Sequence, residues 1–500
     1  MFGEEKKDLE AGFRSLTPPR SLLSYEEYRY STPDIFLVTW DGPDDPENPR
    51  NWTTGKKFLV VIVLCVNTFC VTIGSADISP AIHRVKLQYG ISTEPGVCLT
   101  GYSYVFGWAT GPLIFSPASE IFGRNSVYRP TWALFVLFNL GCGLSKDFTS
   151  LLICRLFAGI FSSTATAVGF GSAYDMFHPT QVGPPAFLMA MCAFLGPGFG
   201  PIVGGFLTEY SGWEYILWFN FIFSASVFAT WWLVPESHPQ TLLTRKAREL
   251  QKKTGIEGLY TEAQKTGLSR SRTFITAIWR PLQLLAFEPI VFLTSLFVSF
   301  IWGILYLYLG AYIVVFRTRY GWGEAKAGAA FGGIALGILL AGGMAGMANK
   351  IFVKLSEKHG KNGSFPEGRL PPAMLAALLV PASMFWFAWT GFTHVHWAVP
   401  VASGIPFGWC MVMLFISFAT YASDSFPHIA ASIGAASSLL RCMFAMSFPL
   451  VTPKLYERFE PEWAETILAS VTLLFIPVPF LFWRYGPWLR SKSKFQSKFL

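Results

Sequence analysis

The chain has 500 residues, of which 52% are hydrophobic, 17% aromatic and only 14% charged, where an average soluble domain carries about a quarter charged residues. That balance excludes an ordinary soluble enzyme and predicts an all-α integral membrane protein. The formal net charge of +8 comes from 39 Lys and Arg set against 31 Asp and Glu; it gathers in short segments between apolar runs, which marks membrane topology and argues against a nucleic-acid-binding surface.

Residues 1–57 are polar and Pro-rich, without an apolar core after a basic start. No cleaved signal peptide is expected there, and the first spanning helix must serve as the insertion signal. The apolar runs that follow are about as long as a helix needs to cross roughly 30 Å of hydrocarbon, about 20 residues. They are too long and too little alternating for barrel strands. Six spans are predicted near 58–81, 97–117, 127–145, 150–175, 185–208 and 214–234. A linker at 236–288, rich in Lys and Arg, separates them from six more near 289–312, 326–348, 371–392, 397–420, 428–451 and 466–484. The domains are thus a tail (1–57), a six-helix bundle (58–235), a basic linker (236–288), a second six-helix bundle (289–485) and a short tail (486–500). Of the 39 Lys and Arg, 29 fall on the side of the two termini, 8 on the other, and Arg155 and Arg441 lie within spans. The positive-inside rule then places both termini in the cytosol.

The eight cysteines lie scattered through apolar runs without metal-ligand spacing, so no metal site is expected. No phosphate-binding glycine loop, kinase set or serine-hydrolase elbow is present, so no cofactor and no enzymatic activity are expected. Ser119-Glu120-Ile121-Phe122-Gly123-Arg124 and Ser356-Glu357-Lys358-His359-Gly360-Lys361 share one pattern after the second and eighth spans, either a trace of an internal repeat or a coincidence.

The sharpest motif is Gly196-Pro197-Gly198-Phe199-Gly200-Pro201-Ile202-Val203-Gly204-Gly205 in the fifth span. Gly196, Gly200 and Gly204 form a stripe without side chains, and Pro197, Pro201 and Gly205 adjoin it. Small residues at this spacing let another helix approach closely in lipid. After the second span, Glu120, Gly123 and Arg124 form an acid, a turn glycine and a guanidinium able to latch helix ends by charge-assisted hydrogen bonds.

These motifs resemble the major facilitator superfamily: the fifth-span run matches its antiporter motif, residues 116–125 its loop motif, and Arg155-Leu156-Phe157-Ala158-Gly159 the start of its fourth-span motif. In the loop motif Ser116, Ile121 and Asn125 depart from the usual glycine and basic residues. The chain is most similar to the fungal twelve-span drug:proton antiporters, through Asp45-Pro46-Glu47-Asn48-Pro49-Arg50-Asn51-Trp52, Val234-Pro235-Glu236-Ser237, Glu288-Pro289, Pro366-Glu367-Gly368-Arg369-Leu370, and Tyr421 with Asp424. The resemblance runs from residue 45 to 487. It implies two six-helix bundles around a cavity open alternately to either side, and exchange of external protons for an outgoing organic solute.

The residues themselves are compatible with that. Arg155 lies about five residues into a span, where an unpaired cation could cost up to about 2.5–3.5 kcal/mol, and Asp77 lies at a comparable depth from the same face. A carboxylate beside an arginine gives up its proton and regains it when the arginine withdraws, which is what proton coupling requires. A fixed ion pair, snorkelling of Arg155, or a position of Asp77 outside the membrane beyond Gly74 are the alternatives. Tyr102, Trp108, Trp302, Tyr306, Trp409, Phe415 and Arg441 are the candidate substrate-binding residues, since aromatic faces stack on flat solutes and attract cations. The expected function is proton-coupled export of hydrophobic or amphipathic organic compounds by a monomer in the plasma membrane. Polyamine or nutrient transport by the same fold is the alternative; a lipid-modifying enzyme lacks a convergent His/Asp/Glu set, and a transport-dead sensor would bind without flux.

Overall fold

A computed structural model describes residues 37–491, apart from 92–93, 179–180, 257, 266–269, 360–364 and 427–428. Twelve long helical segments account for most of it. The first six are α1 (Thr54–Ile73), α2 (Glu94–Phe122), α3 (Arg124–Leu144), α4 (Phe148–Met176), α5 (Gly183–Tyr210) and α6 (Glu214–Thr230). The second six are α7 (Pro289–Thr318), α8 (Glu324–Ala329 continued by Gly332–His359), α9 (Pro371–Ala388), α10 (Ala398–Ser425), α11 (Ala430–Ser447 continued by Val451–Arg458) and α12 (Pro461–Leu473 continued by Pro477–Ser491). Ten of the twelve have the length and apolarity to cross a membrane. The other two are α2, diluted by Gly, Ser, Thr and Tyr, and α3, which opens on Arg124-Asn125-Ser126.

The helices are apolar outside and carry their polar groups inside. Phe58, Ile62, Leu137, Ile222 and Leu340 face outward, while Asn67, Thr68, Thr72, Ser299 and Ser403 are buried. Buried hydroxyls on these helices return their hydrogen bonds to their own backbone, as Thr68 does to the Leu64 carbonyl at 2.9 Å, which is how a polar side chain is kept satisfied away from water.

Within the first half α2 packs on α4 and α1 on α5; within the second, α8 packs on α10 and α7 on α11. The two halves meet through α2 against α11 and α8 against α5. This symmetric pairing gives two six-helix bundles. Backbones touch at the tightest crossings: a Cβ on Gly159 would stand 2.0 Å from the Tyr104 carbonyl oxygen, and one on Gly337 the same distance from that of Ile405. Only glycine fits there.

Several boundaries differ from the sequence expectation, α8 among them, which runs to His359 where its span is expected to end near 348. Regular helix in the first span ends at Ile73 and not near 81, because Gly74 starts a buried turn that brings Asp77 back over the helix end. The last helix runs to Ser491, past the expected start of the tail at 486. The linker holds helices Pro239–Thr254 and Arg270–Phe287.

The segment before α1 clasps that linker. Asp45 accepts backbone N–H bonds from Asp41 and Glu47 and a salt bridge from Lys246 at 3.1 Å. Burial opposes its charge, but these donors outweigh it and hold the Asp45 carboxyl below the usual carboxylate range. The Asn51 amide closes the loop by donating to the carbonyls of Pro43 and Asp45. The Asp45–Trp52 signature is thus a folded cap held to the linker helix at Lys246, which also pairs with Asp41 and reaches Glu47.

Candidate functional site

Asp77 and Arg155 meet in the first bundle, 0% and 1% exposed. Arg155 Nη2 stands 3.7 Å from Asp77 Oδ1, and its Nη1 donates to the Gly74 carbonyl at 2.8 Å. Asn220 on α6 donates to the other carboxylate oxygen at 2.7 Å. The guanidinium lies 5.8 Å over the Tyr104 ring, whose hydroxyl donates to the Val71 carbonyl. At 3.7 Å the ion pair is loose: Asp77 Oδ1 and Arg155 Nη2 and Nε make no hydrogen bond among the described residues. A buried pair held this loosely recovers little of the desolvation cost of both charges.

The glycine run of α5 is built against this pair. A Cβ on Gly204 would fall 1.8 Å from the Asp77 carbonyl oxygen, and one on Gly200 3.0 Å from the Asp77 nitrogen. Gly196 lies equally tight on Thr72. The adjoining stripe meets the other bundle: a Cβ on Gly205 would stand 2.3 Å from the Glu324 carbonyl oxygen at the start of α8, and one on Gly328 2.3 Å from that of Pro201. One face of α5 therefore fixes the Asp77 turn, while the next seals the bundles together. The seal lies on the face away from the termini. There Glu209 Oε2 accepts from the Ala325 N–H at 2.7 Å, capping α8 across the interface, and Arg84 crosses to Glu324 at 3.3 Å. A carboxylate suits a helix N-terminus because the first amides lack intrahelical partners.

Between the bundles a ring cluster surrounds a cation. The Arg441 guanidinium sits 4.7 Å from the Trp302 ring, 5.1 Å from Phe415 and 6.0 Å from Trp108. Phe194 of α5 packs edge-on to Trp302 at 4.6 Å and to Phe415 at 5.3 Å. Tyr306, one turn from Trp302, shares a 2.7 Å hydrogen bond with Ser75. Ser75 belongs to the same turn as Asp77, so the ion pair and the ring cluster are joined through two side chains and a short piece of backbone. Of the residues predicted from sequence, Trp108, Trp302, Tyr306, Phe415 and Arg441 come together. One does not: Trp409 turns away and donates to Met344 Sδ at 3.2 Å; Tyr102 is buried on α2. Phe194, Ser75 and Asn220 were missed. A lone amide in the apolar stretch around Asn220 was the available signal.

On the face of the termini the loop motif works with different acids from the one expected. Arg124 Nε donates to Asp175 Oδ2 at 2.9 Å and Nη1 to Ser119 Oγ at 2.7 Å. Glu236, just after α6, accepts the backbone N–H groups of Arg124 and Asn125 at 2.9 and 3.0 Å. Glu120 is exposed; it precedes the turn at Gly123, whose φ of 95° only glycine adopts readily, and α3 leaves in another direction. The acids that hydrogen-bond in the latch are therefore Asp175 and Glu236, with Glu120 adding its charge to the field around Arg124. Beside them His238 is pushed down to about 4 by burial and by the charge of Arg124, so it stands neutral against Thr241. The second half repeats the device with Arg369 and Asp424 at 2.9 Å and with Arg490 and Glu367 at 2.9 Å. Arg369, following Gly368 as Arg124 follows Gly123, takes the corresponding place in the second half; Gly360 and Lys361 of the Ser356–Lys361 pattern lie outside the described residues. Removing one member of a buried pair costs about 3–5 kcal/mol. Arg124→Ala should lower the thermal unfolding temperature of the purified protein by several degrees and slow transport, with Arg124→Lys intermediate because it loses the fork.

Comparison with known proteins agrees with this architecture. The family model described as Major Facilitator Superfamily matches residues 64–449. The chain is 36% identical over 468 residues to the major facilitator superfamily multidrug transporter mdrA of Aspergillus fumigatus, covering 93% of this chain and 76% of that one. It is 37% identical over 470 residues to the MFS-type efflux pump MFS2 of Trichophyton rubrum, covering 92% and 78%. Among solved structures, the proton:xylose symporter XylE superposes with a TM-score of 0.62 at 15% identity, covering 87% of this chain and 96% of that one. Two paired six-helix bundles, a glycine stripe at their seam and this match over most of the sequence establish that the chain belongs to the major facilitator superfamily.

Proposed function

We propose that this protein is a proton-coupled antiporter that exports hydrophobic or amphipathic organic compounds, working as a monomer in the plasma membrane with both termini in the cytosol. The observation that carries the reading is the Ser75–Tyr306 hydrogen bond, which ties a protonatable ion pair in one bundle to an aromatic chamber shared by both. When the far face opens, a proton from outside neutralises Asp77 and frees Arg155. The turn at 74–78 then shifts, and Tyr306 with it, so that protonation and release of the solute become one event. The relatives, a multidrug transporter and an efflux pump by name, support an organic solute. A polyamine would need carboxylates in the chamber, which instead holds Arg441.

The deciding experiment is substrate-dependent proton flux in vesicles reconstituted with the purified protein. A chain that binds compounds without moving protons is a sensor, and one that moves them without proton flux is a facilitator; either result overturns the proposal. Export of a panel of compounds compared between a strain lacking the gene and the same strain with it restored would define the substrates.

Orientation has its own check. The sequons Asn51-Trp52-Thr53 and Asn362-Gly363-Ser364 both lie on the face of the termini by this topology, Asn362 being outside the described residues. Neither should carry a glycan. A glycosidase-sensitive mass shift lost in Asn51→Gln or Asn362→Gln would reverse the orientation.

A further inference from the structure

The chamber is rich in unspent donors and poor in acceptors. Arg441 lies mid-way along α11, between the bundles; among the described residues its Nη2 donates to Ser438 Oγ at 3.3 Å and its side chain also lies against that of Cys442. Its Nε has no acceptor among the described residues, and neither does Nε1 of Trp302, the ring stacked nearest to it. The carboxylate that serves the other interior cation is already engaged: Asp77 is held by Arg155 and Asn220. No Asp or Glu stands within ion-pair distance of Arg441 among the described residues, whereas Arg84, Arg124, Arg155, Arg317, Arg319, Arg369 and Arg490 each reach one.

Ring faces stabilise a guanidinium from above and below but leave its in-plane N–H groups unmet. A buried donor without an acceptor is costly, and a fixed fork of donors matches the two oxygens of a carboxylate. Trp302, Phe415, Trp108 and Phe194 meanwhile pack on one another at 4.6–6.2 Å between centroids and are buried, so a ligand ring takes their apolar faces when the bundles part. Both halves of one ligand are thereby specified.

We infer that the chamber selects flat organic anions, with the ligand's carboxylate or equivalent oxyanion taken by Arg441 and Trp302 Nε1 and its ring held among Trp108, Phe194, Trp302 and Phe415. This rests on the export reading for its physiological meaning, but the selectivity belongs to the site and is measurable without transport. It also gives Arg441 a task separate from that of Arg155. The anion replaces the missing counter-charge of Arg441, while Asp77 and Arg155 remain free to exchange a proton.

The test uses the full-length protein in nanodiscs of neutral lipid and three probes with one ring system: 2-naphthoate, 2-naphthamide and 2-naphthylmethylammonium. Calorimetric titration should give naphthoate at least about tenfold tighter binding than the amide, as hydrogen bonds to a charged group imply, with the ammonium weakest. Arg441→Gln should bring naphthoate and amide to within about twofold of each other, whatever the amide affinity, and a single cooperative thermal unfolding transition certifies that the variant is folded. Arg441→Lys should keep part of the advantage as a point charge without the fork, and it decides the matter should the Gln variant lose amide binding as well. Equal affinity for anion and amide in the unaltered protein, absence of anion binding, or an advantage that survives both substitutions would overturn the inference. Proton flux driven by neutral or cationic compounds alongside equal binding would sink this selectivity and keep the antiporter reading. Tight anion binding without any flux would do the reverse.

Discussion

Asp77→Asn should abolish uphill export while leaving substrate binding intact. One proton moving through about 100 mV carries about 2.3 kcal/mol, enough to sustain roughly a 50-fold gradient of solute. The amide mimics a permanently neutral carboxyl and still accepts from Asn220, so the variant should retain exchange but lose the gradient altogether. Arg155→Ala removes the cation that faces Asp77 across 3.7 Å and should move the pH dependence of transport to higher pH, beyond any fall in rate. Arg155→Lys preserves charge without the fork that reaches both Asp77 and the Gly74 carbonyl, and should be a partial defect. Export measured over a series of external pH values in the three variants separates these outcomes. An Asp77→Asn protein that pumps against a gradient with an unaltered pH profile would remove Asp77 from the coupling step.

Gly205→Leu should be nearly as damaging, by another route. Its Cβ alone would stand 2.3 Å from the Glu324 carbonyl oxygen, so the bundles cannot close on the far face without backbone displacement. The protein should reach the membrane, lose transport by about tenfold or more, and stay open to the outside. A cysteine placed at Ala325, which is 2% exposed in the closed seam, should then react with an impermeant maleimide added externally, and much faster than with Gly205 intact, where the seam opens only in passing. Gly200→Leu strikes inside one bundle, where its Cβ would crowd the Asp77 nitrogen and the Ile73 carbonyl, so it should abolish transport without exposing Ala325. Normal export by Gly205→Leu would show that its stripe has no part in closure, and normal export by Gly200→Leu that its stripe does not hold the Asp77 turn.

The spans were readable because a membrane demands long apolar runs. Their ends were less so, because apolar composition follows burial and not helicity. The Gly74–Ile78 turn is as buried as the helix before it, and the sequence therefore extends the first span through it. The pairing of Asp77 with Arg155 could be read from two charges at matching depth. Which aromatic residues face the chamber could not, because lipid and protein interior are both apolar and a helix between them has almost no amphipathic face. That is why Trp409 was grouped with the site and Phe194 left out. The latch failed for a different reason: Glu120 is the nearest acid to Arg124 along the chain, but the chain reverses at Gly123, and the acids that arrive belong to α4 and the end of α6.

The Asp77 cluster also has a consequence for how the protein is made. Asn220 follows its partner by 143 residues, and at about 5–20 residues per second the ribosome delivers it roughly 7–29 seconds later. During that interval the turn after α1 has no amide to hold it, and for the first part of it no guanidinium either. The earliest helix to leave the translocon is therefore completed by the sixth. Substitutions at Arg155 or Asn220 will register first in yield, as chains that stall and are cleared before they reach their membrane.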